Sequence, residues 1–140
     1  MDIKDCNNTS DFRRLAKKRL PAPLFHYIDG GADDEVTLRR NTEAFDQVRL
    51  IPDALADLSN MVLRTEVLGQ QIDWPVFCSP TAMTRLFHHE GEVAVARAAH
   101  KHGTMYSLSS LSTTSIEEVG SATLGPVSYT HLTLPTICSV

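Results

Sequence analysis

The chain has 140 residues, 42% hydrophobic and 21% charged, with a formal net charge of −4. This fits one globular domain and excludes a collagen-like, low-complexity or wholly disordered polymer. The charge balance gives no reason to recruit nucleic acid, no apolar run approaches the ~18 residues that span a bilayer, and the polar start Met1-Asp2-Ile3-Lys4-Asp5-Cys6 lacks the apolar centre of a secretion signal.

The three cysteines, Cys6, Cys78 and Cys138, are widely spaced and odd in number. They suggest a reducing compartment and no disulfide framework. A first helix is expected from a cap at Ser10 or Asp11, with Phe12, Leu15, Ala16 and Arg19 at helical spacing and a stop at Leu20-Pro21. A second helix starts near Pro23 and sets Leu24, Tyr27 and Ile28 on one face. Gly30-Gly31 ends it by supplying left-handed positions. A third opens at Asp33 or Asp34, with Val36, Leu38, Ala44 and Phe45 as its apolar positions.

From Val48 the pattern changes. Val48, Leu50 and Ile51 read as a short extended piece, and Val67-Leu68-Gly69-Gln70-Gln71-Ile72 as a hairpin or two edge strands around Gly69. Pro75 introduces Val76-Phe77-Cys78-Ser79, a buried parallel strand closed by Pro80. Residues 90–102 are alanine-rich and helical up to Gly103, and Thr104 to Leu108 is the next buried strand. Strand, helix and strand make a right-handed βαβ unit. Thr114 with Glu117, or Ser115 with Glu118, forms a capping box for another short helix ending at Gly120, and a further strand should come near residue 124. The fold class is α/β with a helical prelude.

Three stretches carry candidate chemistry. Ser79-Pro80-Thr81-Ala82-Met83 comes after a strand at the end where α/β folds bind ligands, and its residues let a flat ligand approach the backbone; it reads either as a binding loop or as an ordinary connection. Ser109-Ser110-Leu111-Ser112-Thr113-Thr114-Ser115 offers hydroxyls to a polar ring edge or a phosphate. Thr114 or Ser115 is needed as a helix cap, which leaves Ser109 as the better ligand candidate. In Phe25-His26-Tyr27-Ile28-Asp29-Gly30-Gly31-Ala32, the Tyr27 phenol is either a carboxylate donor or a core group. His88-His89 and the pair His100 and His102 lack the spacing of metal ligands, so they read as polar helix ends and no metal is expected.

Together these stretches resemble the FMN-dependent 2-hydroxy-acid dehydrogenases and oxidases, and within them the bacterial L-lactate dehydrogenases. The resemblance runs colinearly through Leu20-Pro21, residues 25–33, Thr37-Leu38-Arg39-Arg40-Asn41-Thr42, Pro75-Val76, residues 80–83, Gly91-Glu92, residues 94–99, Ser107-Leu108-Ser109-Ser110 and residues 115–119. It implies a helical extension leading into a (β/α)8 barrel, a TIM barrel. Such a barrel needs about 250 residues, so the chain is expected to hold the extension and the first two β/α units.

The resemblance also implies roles. Tyr27 matches a tyrosine that contacts the substrate carboxylate. Pro80, Thr81 and Ala82 match the loop that contacts FMN, and Ser109 matches a flavin contact at the second strand. Leu111 stands where glycolate-oxidising relatives have a tryptophan, which is compatible with a larger acid. The implied reaction converts L-lactate to pyruvate with hydride transfer to the flavin. Its histidine base, lysine and arginine pair belong to later strands of the family. His88, His89, His100 and His102 match none of them, so the chain alone is expected to be inactive.

After Gly125-Pro126 the family pattern stops. Residues 127–140 back-translate as a sequencing-library adaptor, so they are expected to be a non-native read-through tail; Tyr129 and His131 then carry no family role. The expected organisation is 1–126 as the start of the flavoprotein domain, with 1–74 as extension and hairpin and 75–126 as barrel. The resemblance implies a small L-2-hydroxy acid as partner, a homo-oligomeric parent, and a cytoplasmic location or a peripheral one on the inner face of the membrane, facing a respiratory electron acceptor. The alternatives are a glycolate, mandelate or other L-2-hydroxy-acid oxidase, and, from another class, a short non-catalytic α/β binding module.

Overall fold

The computed structural model describes residues 2–130, and for Thr130 only the backbone. Two compact units divide the chain, Met1–Leu58 and Ser59–Val140.

The first unit is helical. After a 3-10 turn at Ile3–Asp5 come α1 (Thr9–Arg19), α2 (Ala22–Asp29) and α3 (Val36–Asp46). The cap of α1 is Asn8 rather than Ser10 or Asp11: its side-chain oxygen accepts the Asp11 amide at 3.0 Å. Asp11, one turn in, accepts the Asn7 amide at 3.0 Å and is buried. Both bonds satisfy donors that a helix start leaves open. Leu15 of α1 and Phe25 of α2 are buried, and Arg13 grips Asp29 through two guanidinium nitrogens.

The exit from α2 corrects the expected glycine geometry. Gly30 is extended (φ −84°), whereas Asp33 and Glu35 take the left-handed positions at φ 48° and 56°. Gly31 is there for space: a Cβ on it would lie 3.0 Å from the Leu38 Cβ. Glu35, not Asp33 or Asp34, precedes α3. No residue of α3 is buried, and Phe45 is 79% exposed. Val48, Leu50 and Ile51 form no strand and are exposed; no neighbouring strand pairs with them among the described residues.

In the second unit, β1 (Thr65–Val67) and β2 (Gln70–Ile72) make the predicted antiparallel hairpin, with Val67 opposite Gln70. Leu68 and Gly69 both have positive φ, 52° and 76°, as a two-residue I′ turn requires. Two bonds pin the hairpin exit to residues about 30 positions later in the chain. The Trp74 indole donates to the His102 carbonyl at 2.7 Å, and the Asp73 amide donates to the Gly103 carbonyl at 2.7 Å.

The first predicted barrel strand is reduced to one parallel bridge, Cys78 with Tyr106. Pro75 and Pro80 lack amide donors, and only one side of the segment has a neighbour among the described residues, so Val76 and Phe77 stay exposed instead of buried. The next elements are α4 (Gly91–Lys101), β3 (Tyr106–Ser109), α5 (Ile116–Ala122) and β4 (Val127–Thr130). α4 ends at Gly103, which is left-handed (φ 65°), as expected of a helix stop. Ser115 with Glu118 closes the capping box of α5, and that helix runs through Gly120 to Ala122.

β4 pairs parallel with β3, Tyr106 opposite Val127 and Ser109 opposite Thr130. Val, Tyr and Thr favour extended backbone, and the free edge of β3 supplies their bonds. The ragged alternation of this segment conceals that strand. Residues 131–140, with His131 and Cys138, lie outside the described residues. The core of the unit is Ala96 and Ala99 of α4, Tyr106 and Leu108 of β3, and Val119 of α5, with Cys78, Val95 and Val127 packed around it.

Candidate flavin-binding loops

The bridge at Cys78 fixes where the two candidate loops emerge. The Cys78 amide donates to the Met105 carbonyl, and the Cys78 carbonyl accepts from the Ser107 amide, both at 3.0 Å. Because Cys78 and Tyr106 run parallel, residues 79–83 and 109–115 leave the sheet at the same end. A direct main-chain bond ties them: the Met83 amide donates to the Leu111 carbonyl at 3.0 Å. Met83 itself is left-handed (φ 52°), which turns the chain there into the 3-10 turn Thr84–Leu86.

Pro80, Ala82 and Ser109 are half-buried and Thr81 is exposed. Leu108 faces the core, so by strand alternation Ser109 faces the other side of the sheet. The Ser109 hydroxyl accepts the Leu111 amide at 3.2 Å, which keeps its own hydrogen for donation. The structure thus brings Pro80, Thr81, Ala82 and Ser109 to one end of one sheet. Tyr27 belongs to the helical unit; at 62% exposure its ring is not a core group.

A residue that sequence reasoning passed over underlies both loops. Glu92, in the first turn of α4, is fully buried. Its Oε1 accepts the amides of Thr84 at 3.2 Å and Thr113 at 2.9 Å, and its Oε2 accepts the hydroxyls of Thr113 and Thr114 at 2.7 Å each. Burial pushes this carboxyl up, but the bonds from Thr113 and Thr114 outweigh it and hold the pKa at about 2. Thr114, a candidate cap, serves here instead. The signal was present in the sequence: Glu92, Ala96 and Ala99 share one helical face. Arg85 reinforces the tie, its amide donating to the Thr113 hydroxyl at 3.3 Å and its guanidinium to the Thr113 carbonyl at 3.4 Å.

Beside this cluster, the Tyr106 hydroxyl and the Thr84 hydroxyl are buried without a hydrogen-bond partner among the described residues. Burial raises the Tyr106 pKa to about 12, helped by the charges of Glu92 and Cys78. His88 and His89 stack at 4.5 Å, and among the described residues no group of three or more His, Cys, Asp or Glu is placed to hold a metal.

Comparison with known proteins agrees with this arrangement. Residues 16–135 match the family model of FMN-dependent dehydrogenases. The chain is 45% identical over 118 residues to glycolate oxidase 3 of Oryza sativa subsp. indica, covering 84% of this chain and 32% of that protein. It is 40% identical over 119 residues to the L-lactate dehydrogenase of Vibrio parahaemolyticus, covering 85% and 31%. A soluble mutant of the membrane-associated (S)-mandelate dehydrogenase from Pseudomonas putida superposes with a TM-score of 0.81 at 38% identity, over 87% of this chain and 35% of that one. The chain therefore spans about a third of the length of the relatives it matches. By a match that covers most of its length, and with two tied βα loops at one end of a parallel sheet, the chain belongs to the family of FMN-dependent dehydrogenases.

Proposed function

We propose that this chain is the amino-terminal part of an FMN-dependent L-2-hydroxy-acid oxidoreductase, and that the whole protein oxidises L-lactate to pyruvate. The observation that carries the reading is the main-chain bond from Met83 to Leu111, which holds Pro80, Thr81, Ala82 and Ser109 together. Their small, neutral side chains admit a flat ring, and the hydroxyls of Thr81 and Ser109 suit its polar edge. None of the four is cationic, so they fit the ring of FMN rather than its phosphate. When bound, FMN supplies the electron acceptor. Tyr27 is assigned to the substrate carboxylate, to which an exposed phenol can donate. The histidine base, lysine and arginine pair are assigned to the part of the protein beyond this chain, so the 140 residues alone turn over no substrate.

A second reading, glycolate as substrate, is favoured by the 45% identity to a glycolate oxidase. Leu111, 58% exposed on the second loop, supports the larger acid. The test is a substrate panel on the full-length protein, with and without oxygen as acceptor. Higher kcat/KM for L-lactate than for glycolate or (S)-mandelate is expected. The reverse order refutes the substrate, and a colourless protein that oxidises none of them refutes the function.

No helix among the described residues is long and apolar enough to cross a membrane. The whole protein is proposed to be a homo-oligomer, cytoplasmic or peripheral on the inner face of the membrane. Residues 127–140 are proposed to be read-through of an adaptor; a genomic copy encoding the same tail before a stop codon overturns this.

A further inference from the structure

We infer that Glu92 is a positioning residue for flavin: its carboxylate sets the spacing of the two loops that carry Pro80, Thr81, Ala82 and Ser109. The inference rests on the flavin reading of those loops. Glu92 lies on α4, outside both loops, and its bonds reach the second loop and the residue that directly follows the first. One Oε1 bond goes to Thr84, two residues after Ala82, and three bonds go to Thr113 and Thr114, on the loop that starts at Ser109. The carboxylate is fully buried, so water does not replace it when it is removed without the loops moving.

The geometry distinguishes Glu92 from a simple core-filling group. A core residue at this position would need only apolar volume, as Ala96 and Ala99 supply one and two turns later. Glu92 instead presents two oxygens to four donors, a count that only a carboxylate meets without spending an N–H of its own. Oε1 is shared between the amide of Thr84, which directly follows the first loop, and that of Thr113 in the second, at 3.2 and 2.9 Å. A displacement of either loop therefore stretches a bond that the other loop holds in place. The direct bond from Met83 to Leu111 lies between the same loops and closes the ring of contacts.

The test uses the full-length protein, with Glu92→Gln as the isosteric variant and Thr114→Val as a second that keeps the carboxylate. FMN dissociation constants are read from flavin fluorescence, and hydrogen exchange is read at the amides of Thr84, Thr113 and, as a control within α4, His100. Glu92→Gln is expected to weaken FMN binding about tenfold or more while Thr84 and Thr113 lose protection and His100 keeps it. Saturating FMN restores kcat, with KM for the substrate unchanged. Thr114→Val shifts FMN binding in the same direction by less, and decides the matter if Glu92→Gln does not fold. FMN affinity within twofold of the parent, with protection at Thr84 and Thr113 lost, overturns the role of Glu92. A parent protein that binds no FMN overturns the flavin reading itself, and with it this role.

Discussion

Replacing Glu92 by alanine should cost the second unit about 3 kcal/mol of stability, because it leaves neutral donors buried without their charged acceptor, each costing about 1–3 kcal/mol where water does not replace it. The substitution strips the acceptor from four bonds and leaves the buried Thr114 hydroxyl without its partner. The ionisation of the same carboxyl gives an independent figure. Its pKa is about 2 in the folded chain against 4.5 for the free group, a gap worth about 3 kcal/mol. The folded value is depressed, so this stability is fully present above pH 4.5 and drains away as pH falls from there towards 2. Urea unfolding can be monitored through Trp74, the only tryptophan, whose indole is bonded to the end of α4. The unsubstituted chain should lose more stability between about pH 5 and 3 than Glu92→Gln does, and the difference between them isolates this group. A loss below about 1 kcal/mol for Glu92→Ala at neutral pH, or parallel acid profiles for parent and Glu92→Gln, refutes the account.

Other parts of the fold carry three more expected outcomes. Tyr106→Phe removes a buried hydroxyl that has no partner among the described residues and should raise stability by about 1 kcal/mol in urea; the parent should also weaken between pH 10 and 12, because its phenol titrates later folded than unfolded, and the variant should not. Gly103→Ala puts a Cβ into the Asp73 carboxylate at a left-handed position, so a loss of about 2 kcal/mol is expected in thermal or urea unfolding. The exposed apolar residues Phe45, Leu50, Ile51, Leu55 and Val62 should make the 140-residue chain self-associate above micromolar concentration. A sedimentation profile that stays monomeric over a hundredfold range of concentration contradicts this.

Much of the fold was legible in local signals. Gly69 announced the hairpin, Gly103 announced the end of α4, and Ser115 with Glu118 announced the start of α5. The signals failed where a neighbour decides. Val76 to Ser79 has the composition of a buried strand, but a strand needs neighbours and covered faces, and only Cys78 pairs. Val127 to Thr130 has a poor pattern, yet β3 offers it an edge. In the candidate site, position after a strand marked residues 79–83 and Ser109 as candidates, and the family resemblance singled out Pro80, Thr81 and Ala82 within the first stretch. Glu92 shares a helical face with Ala96 and Ala99, which marks it as facing the core, but only the three-dimensional placement of Thr84, Thr113 and Thr114 shows what its oxygens hold.

The bond between Met83 and Leu111 uses only main-chain atoms. Position 83 must supply an N–H from a left-handed backbone, which excludes proline and penalises β-branched residues, whereas position 111 supplies only its carbonyl. The Leu111 side chain meanwhile faces outward. One position thus fastens the cradle with its carbonyl and leaves its side chain open to exchange. Under the function proposed above, a change of side chain at this residue would resize the substrate end without breaking the main-chain tie between the two loops.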